Sequence, residues 1–180
     1  MAQPLLEEVN LLRTNPREYA KFVEERFRNM DAQGFYKSEG MSYASVEGRA
    51  AVAETIAFLR EAQPVKPLAL SNCLSNAAQG HVAEQGPEGA TGHYSANGAS
   101  PSDRATRHLS GTAYCGENIS YGMPTPRDVV IQLVVDDGVP TRGHRDNLFK
   151  DDYKTVGFGF GPHKKFGFMA VELMCMNAIR

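Results

Sequence analysis

The stretch "DDGVPTRGHRDNLF", residues 136–149, holds residue types that move protons or ligate metal ions. Two adjacent carboxylates, Asp136 and Asp137, precede a Gly/Pro turn, and His144 follows, flanked by Arg142 and Arg145. Imidazole and carboxylate groups gathered in one place can exchange a proton with a substrate or hold a divalent ion. One such fragment is only half a site, so its partners are sought among polar residues in other glycine-flanked positions. "TGHYSANG" places His93 in a loop, and "YCGENISYG" places Glu117 and Asn118 between Gly116 and Gly122. Taken singly, each is also the kind of side chain that a solvated loop carries. Asn118-Ile119-Ser120 fits a glycosylation acceptor, a short pattern that recurs by chance.

The segment leading into the first fragment, "TPRDVVIQLVVDDG", has strong helix signals. Thr125 is placed as N-cap, Pro126 at the first helical position and Asp128 in the first turn. Helical spacing continued from Val130, Leu133 and Val134 puts Asp137 on the inward face and Asp136, with Gln132, on the wet side. A carboxylate is disfavoured at the negative end of a helix dipole, so Arg142 or His144 is expected to compensate it. The competing reading has Asp137 accept backbone N–H groups of the following turn.

The other elements follow from the same signals. Leu5, Leu6, Val9 and Leu12 mark a first helix, and Asn15-Pro16 ends it and caps a second through Phe27. Residues 30–44 read as an ordered loop rich in glycine and aromatics. Val52, Ile56 and Leu59 mark a further helix. Ser71 caps another, with Leu74, Ala77, Ala78, His81 and Val82 inward. Residues 86–103 read as a loop. "YKTVGFGFGPH" and "KFGFMAVELMC" predict a β-hairpin turning at Pro162–Lys165, with Gly157, Gly159 and Gly161 on one side facing a closely packed element. Helices first and strands last predict an α+β fold.

Composition narrows the class. The 180 residues, 42% hydrophobic and 22% charged, suit one domain over residues 1–180 with a sizeable core. Nineteen basic residues against 21 acidic ones, with no basic block, argue against nucleic acid as a partner. No apolar run reaches the ~18 residues of a membrane span. The N-terminus lacks signal-peptide features, so the chain as written reads as cytosolic unless a leader has been removed. Cys73, Cys115 and Cys175 are an odd count with no CxxC spacing, which leans towards a reducing compartment rather than a disulfide framework. Cys115 reads as a buried structural thiol or a nucleophile near a histidine. His81 reads as a core histidine and His163 as exposed in the hairpin turn, while His108 has no evident partner. HExxH, GxSxG and Walker A patterns are absent, and "GFGFG" lacks the helix of a dinucleotide fingerprint.

Together, "TGHYSANGASPSDRA", "GENISYG" and "DDGVPTRGHRDNLF…VGFGFGPH" resemble the CAP superfamily. That superfamily groups cysteine-rich secretory proteins, insect venom antigen 5 and plant pathogenesis-related proteins of group one. The likeness is nearest to its cysteine-poor SCP-like branch and runs in order from about Leu5 to Met174. It implies an α–β–α sandwich with a central, mainly antiparallel sheet and a cleft holding two histidines and two acidic residues. Carried over position by position, these are His93, Glu117, Asp137 and His144. The last acidic residue is Glu in many relatives, so Asp137 gives a shorter reach. The cysteine pairs and cysteine-rich tail of the secreted animal members are absent, as is the aromatic block that follows the last histidine in plant and animal members.

Two neutral imidazoles suit Zn²⁺ or a related divalent ion, with the carboxylates orienting the rings or binding a metal-held water. Two functions are then in view. One is a binding module that holds a divalent ion weakly through His93 and His144 and takes a lipid, sterol or peptide-like ligand. The other is a metal-dependent hydrolase in which Glu117 or Asp137 activates water. The sequence shows no dedicated nucleophile and no third strong metal ligand, which favours the first. The resemblance also implies an extracellular setting.

Overall fold

A four-stranded sheet lies between helical layers. The computed structural model describes residues 1–108 and 112–176. Helices α1 (Ala2–Thr14) and α2 (Pro16–Arg26) meet at Asn15, with Pro16 in the first turn of α2 as the Asn-Pro pair predicts. The two-stranded hairpin β1 (Phe35–Ser38) and β2 (Met41–Ala44) precedes α3 (Arg49–Glu61). A short β3 (Ala69–Leu70) leads into α4 (Asn72–Glu88), capped by Ser71 through the N–H of Leu74. Then come α5 (Pro101–Thr106), β4 (Cys115–Tyr121), α6 (Pro126–Val135), α7 (Gly143–Phe149), β5 (Thr155–His163) and β6 (Gly167–Cys175). The strand order is β3-β5-β6-β4; β3 runs parallel to β5, and the other pairs are antiparallel. The expected α+β sandwich with a mainly antiparallel sheet is what forms.

Alternation along the strands builds two cores. Val156, Phe158, Ala170 and Met174 pack beneath α1, α2, α3 and α6. Val171, Leu173 and Met169 pack against Leu74, Ala77, Ala78 and Val82 of α4. The glycines of β5 lie on this second face, as expected. A Cβ at Gly157 would stand 2.1 Å from the backbone of Leu74 and Ser75, and one at Gly159 would stand 2.6 Å from that of Ala78. The helix therefore rests directly on the strand, which no side chain there would allow.

Several elements depart from the expectations. Residues 35–44 form the β1–β2 ribbon rather than a loop, turned by Glu39 and Gly40, both at positive φ, as in a type I′ turn. The 86–103 segment contains the end of α4 and the first half of α5. Residues 115–121 are a paired strand, and residues 143–149 are a helix. The β5–β6 turn spans 164–166, starting two residues later than expected and ending one residue later. His163 is buried: its Nδ1 accepts the N–H groups of Lys165 and Phe166, and its Nε2 donates to the Ala90 carbonyl at 2.8 Å. His81 is fully buried, as expected, with Nε2 2.9 Å from the Gly92 carbonyl. The cysteines are corrected as well: Cys115 and Cys175 face each other across β4 and β6 and form a disulfide, and Cys73 is free. Cys115 is thus neither a thiol nor a nucleophile.

Candidate functional site

Two buried arginines hold the element that carries His144. Arg13 of α1 donates to the carbonyls of Leu148 and Lys150 at the end of α7, and burial lowers its pKa to about 10. Arg145 donates to the Val134 carbonyl at 2.7 Å and to both carboxylate oxygens of Glu54 on α3. The C-terminal carbonyls of α6 are satisfied in this way, and α7 is locked beside them. Arg142 donates to the Asp136 carbonyl at 2.8 Å, one of the cations expected at this helix end.

The carboxylate that meets His144 is Asp136, not Asp137. Its Oδ1 lies 2.5 Å from His144 Nδ1, and its Oδ2 accepts the His144 backbone N–H at 2.9 Å. The helical-face expectation fails because α6 ends at Val135, so the periodicity does not extend into 136–137. Asp136 takes the left-handed conformation, φ 55° and ψ 40°, which turns its side chain inward. The Asp136 side chain is 3% exposed and that of His144 25%. Asp137 accepts backbone N–H groups, as the competing reading holds, but those of Val46 (2.7 Å) and Glu47 (2.8 Å) rather than of the following turn.

His93 and Glu117 pair as a second unit. His93 Nδ1 lies 3.0 Å from Glu117 Oε1; the ring is 45% exposed, whereas the Glu117 side chain is 1% exposed. Arg104 of α5 pairs with the other oxygen, Oε2, and donates to the His93 carbonyl at 2.8 Å. Arg104 was not singled out from the sequence. The available signal was the Ser100–Asp103 capping box, which starts α5 and fixes where Arg104 points.

Strand β4 joins the two pairs. Glu117 takes His93 on one face, and Asn118, facing the other way, donates to the His144 carbonyl at 3.1 Å. Tyr121 OH accepts the N–H of Gly92, next to His93, and the Tyr121 ring lines a cavity of about 320 Å³ that His144, Asp136 and Asp137 also border. Asn147 of α7 donates to Asn118 Oδ1, and Tyr153 OH donates to Asn147. A Cβ at Gly116 would stand 2.1 Å from that tyrosine oxygen, so glycine lets α7 and Tyr153 dock on β4. Behind Asn118 lies Glu172 of β6, fully buried; burial pushes its carboxyl up to about 8, against the Asn118 hydrogen bond, which lowers it. Asn118 itself is fully buried and closed to glycosylation in the folded protein.

Both imidazoles are held by a carboxylate through Nδ1, the arrangement that orients a histidine towards a metal through Nε2. Neither Nε2 has a hydrogen-bond partner among the described residues. No group of three His, Cys, Asp or Glu side chains able to hold one ion occurs among the described residues. Imidazole is a donor that divalent ions take, and an ion held by two imidazoles alone would need water to complete its shell. No helix is long and apolar enough to cross a membrane among those residues.

No curated protein matches the chain. The crystal structure of an extracellular protein containing an SCP domain from Bacillus anthracis str. Ames is similar in fold, with a TM-score of 0.51 at 20% identity. The match covers 70% of this chain and 39% of the other, so the likeness spans about two fifths of that protein's length. The pattern of the cysteine-rich secretory protein family (CAP) matches residues 7–176, nearly the whole chain, and the protein belongs to that family.

Proposed function

We propose that the protein is a ligand-binding module whose cleft takes a divalent ion, Zn²⁺ first among the candidates, through His93 and His144. The supporting observation is that two separate imidazoles are each anchored at Nδ1 by a buried carboxylate, leaving Nε2 unpartnered among the described residues. With two protein ligands the ion is weakly held and open to a further group from solvent or ligand. The ligand is lipid-like, sterol-like or peptide-like, taken up beside the ion in the cavity and along the cleft rim.

The carboxylates favour binding over hydrolysis. Glu117 and Asp136 each use both oxygens, on a ring nitrogen and on Arg104 or a backbone N–H respectively. Asp137, the other residue considered as a base, holds two backbone N–H groups. A general base must be directed at its water, and these carboxylates are directed at a ring nitrogen, an arginine or backbone N–H groups. The Cys115–Cys175 disulfide supports an oxidising, extracellular setting rather than a reducing one.

Zinc titration by calorimetry on tag-free protein at neutral pH tests the reading. Wild type should bind one ion per chain, and His144→Ala and His93→Ala should each bind more weakly. Affinity should fall on acidification, because a protonated ring has no lone pair to give. Equal zinc affinity in wild type and both variants refutes the assignment.

A further inference from the structure

We infer that the cavity beside His144 is a selectivity pocket for an uncharged apolar group, and that the β1–β2 hairpin is the wall that sets its size. This rests on reading the cleft as a ligand site, but not on a bound ion. Phe27, Tyr36, Tyr43, Met123 and Leu133 line the pocket, with His144 at its polar end. Its volume of about 320 Å³ lies at the small end of ligand sites, enough for a few fused or linked rings or a chain of equal bulk.

The wall is built before any ligand arrives. Tyr36 and Tyr43 stack with centroids 5.4 Å apart, and Phe27 meets Tyr36 edge-on at 4.7 Å. The base of the hairpin is clasped from both sides. Asp137 holds the N–H groups of Val46 and Glu47, and the Glu47 carboxylate in turn accepts from Gly138 N–H (2.8 Å) and from Arg142 (2.7 and 2.8 Å). A ligand entering here therefore has little backbone to order, which favours selective binding.

Charge decides which ligands fit. Asp136, Asp137 and His144 are the Asp, Glu, His, Lys and Arg residues that line the pocket among the described residues; no lysine or arginine does. Arg26 stacks behind Tyr36 and Tyr43 and is paired with Asp128. An anionic head group would meet two carboxylates and no free cation, a like-charge arrangement that opposes binding. In the tautomer that donates Nδ1–H to Asp136, Nε2 is an acceptor. The favoured ligand is uncharged, apolar, and carries a hydroxyl or N–H donor at one end. A fatty-acid carboxylate or a phosphate head does not meet these terms.

Two fluorescent probes separate the possibilities. N-phenyl-1-naphthylamine is neutral and carries one N–H; 8-anilinonaphthalene-1-sulfonate has the same ring skeleton plus a sulfonate. Titrated into the full chain with EDTA present, the neutral probe should bind at one site, and the sulfonate at least about tenfold more weakly. Ala44→Trp adds an indole at an exposed, pocket-lining residue of the hairpin and should weaken the neutral probe by at least about tenfold. Asp137→Asn, which loosens the clasp, should weaken it by a smaller factor. No binding of the neutral probe, equal binding of the two probes, or an unchanged affinity in Ala44→Trp each overturns the proposal. Because EDTA removes metal, these outcomes are independent of the zinc titration.

Discussion

Glu172→Gln should make the protein more stable at neutral and alkaline pH, and the gain should vanish in mild acid. Glu172 is fully buried in the sheet, accepts a 3.5 Å contact from Asn118 at Oε2, and has no partner at Oε1 among the described residues. Its carboxyl titrates near 8 in the folded protein against an ordinary 4.5. Between those values the unfolded chain is ionised while the folded protein keeps the proton. The folded state then binds more protons than the unfolded one, so stability falls as pH rises through this window. The penalty is absent below pH 4.5 and fully present above pH 8. Each pH unit is worth about 1.4 kcal/mol, so the upper limit is about 5 kcal/mol at pH 8 and about 3 kcal/mol at pH 7. Glutamine keeps the acceptor for Asn118 and mimics the protonated acid in shape. Urea unfolding of wild type and Glu172→Gln at pH 4.5, 6, 7 and 8 isolates this residue, because all other groups titrate alike in both. The two stabilities should agree at pH 4.5 and diverge to at least about 2 kcal/mol by pH 8. Parallel curves across the range would refute the reasoning.

Other perturbations probe the site and its frame. Asp136→Asn should lower zinc affinity about 10- to 100-fold by releasing the His144 ring, whereas Asp137→Asn should leave zinc affinity intact and raise amide exchange at Val46 and Glu47. Gly159→Ala should destabilise the fold by about 3 kcal/mol or more, since the added carbon meets the Ala78 backbone rather than a movable side chain, and thermal melting reads this directly. Cys175→Ser opens a disulfide with a sequence separation of 60 and should cost about 4 kcal/mol of stability by the loop-entropy estimate, measured by urea unfolding without reductant.

The sequence shows the helices well because their signals are local. Asn15-Pro16, Ser71 and Thr125-Pro126 each start a helix where the structure starts one, and the apolar spacing gives the buried faces. The three glycines of β5 identify the strand on which α4 lies, because only a missing side chain permits that approach. The elements that are hard to see depend on distant partners. Along β4, Glu117, Asn118 and Ser120 are buried polar residues satisfied by Arg104, the His144 carbonyl and Gln132, so the strand looks like a polar loop. The β1–β2 ribbon alternates exposed and half-buried residues and lacks the apolar face that marks a core strand. The disulfide follows from the register of Cys115 opposite Cys175, which spacing along the chain does not reveal.

At the site, His93 pairs with Glu117 and His144 pairs with Asp136, and the choice between two adjacent aspartates is not legible in the sequence. Periodicity extrapolates a helix past its last residue, and the error matters most where a side chain is chosen by the cap itself. A left-handed residue after Val135 reverses the order of inward and outward positions, so Asp136 meets His144 and Asp137 reaches away to the hairpin. The doublet then does two jobs from one turn: one carboxylate aims the imidazole, and the next fixes the wall of the cavity beside it. The shorter reach of aspartate suits this turn, because Asp136 spans both the ring and the backbone N–H of His144 only eight residues on. Aiming the histidine and shaping the pocket are thus tied to the same backbone conformation, and disturbing the cap at Asp136 disturbs both.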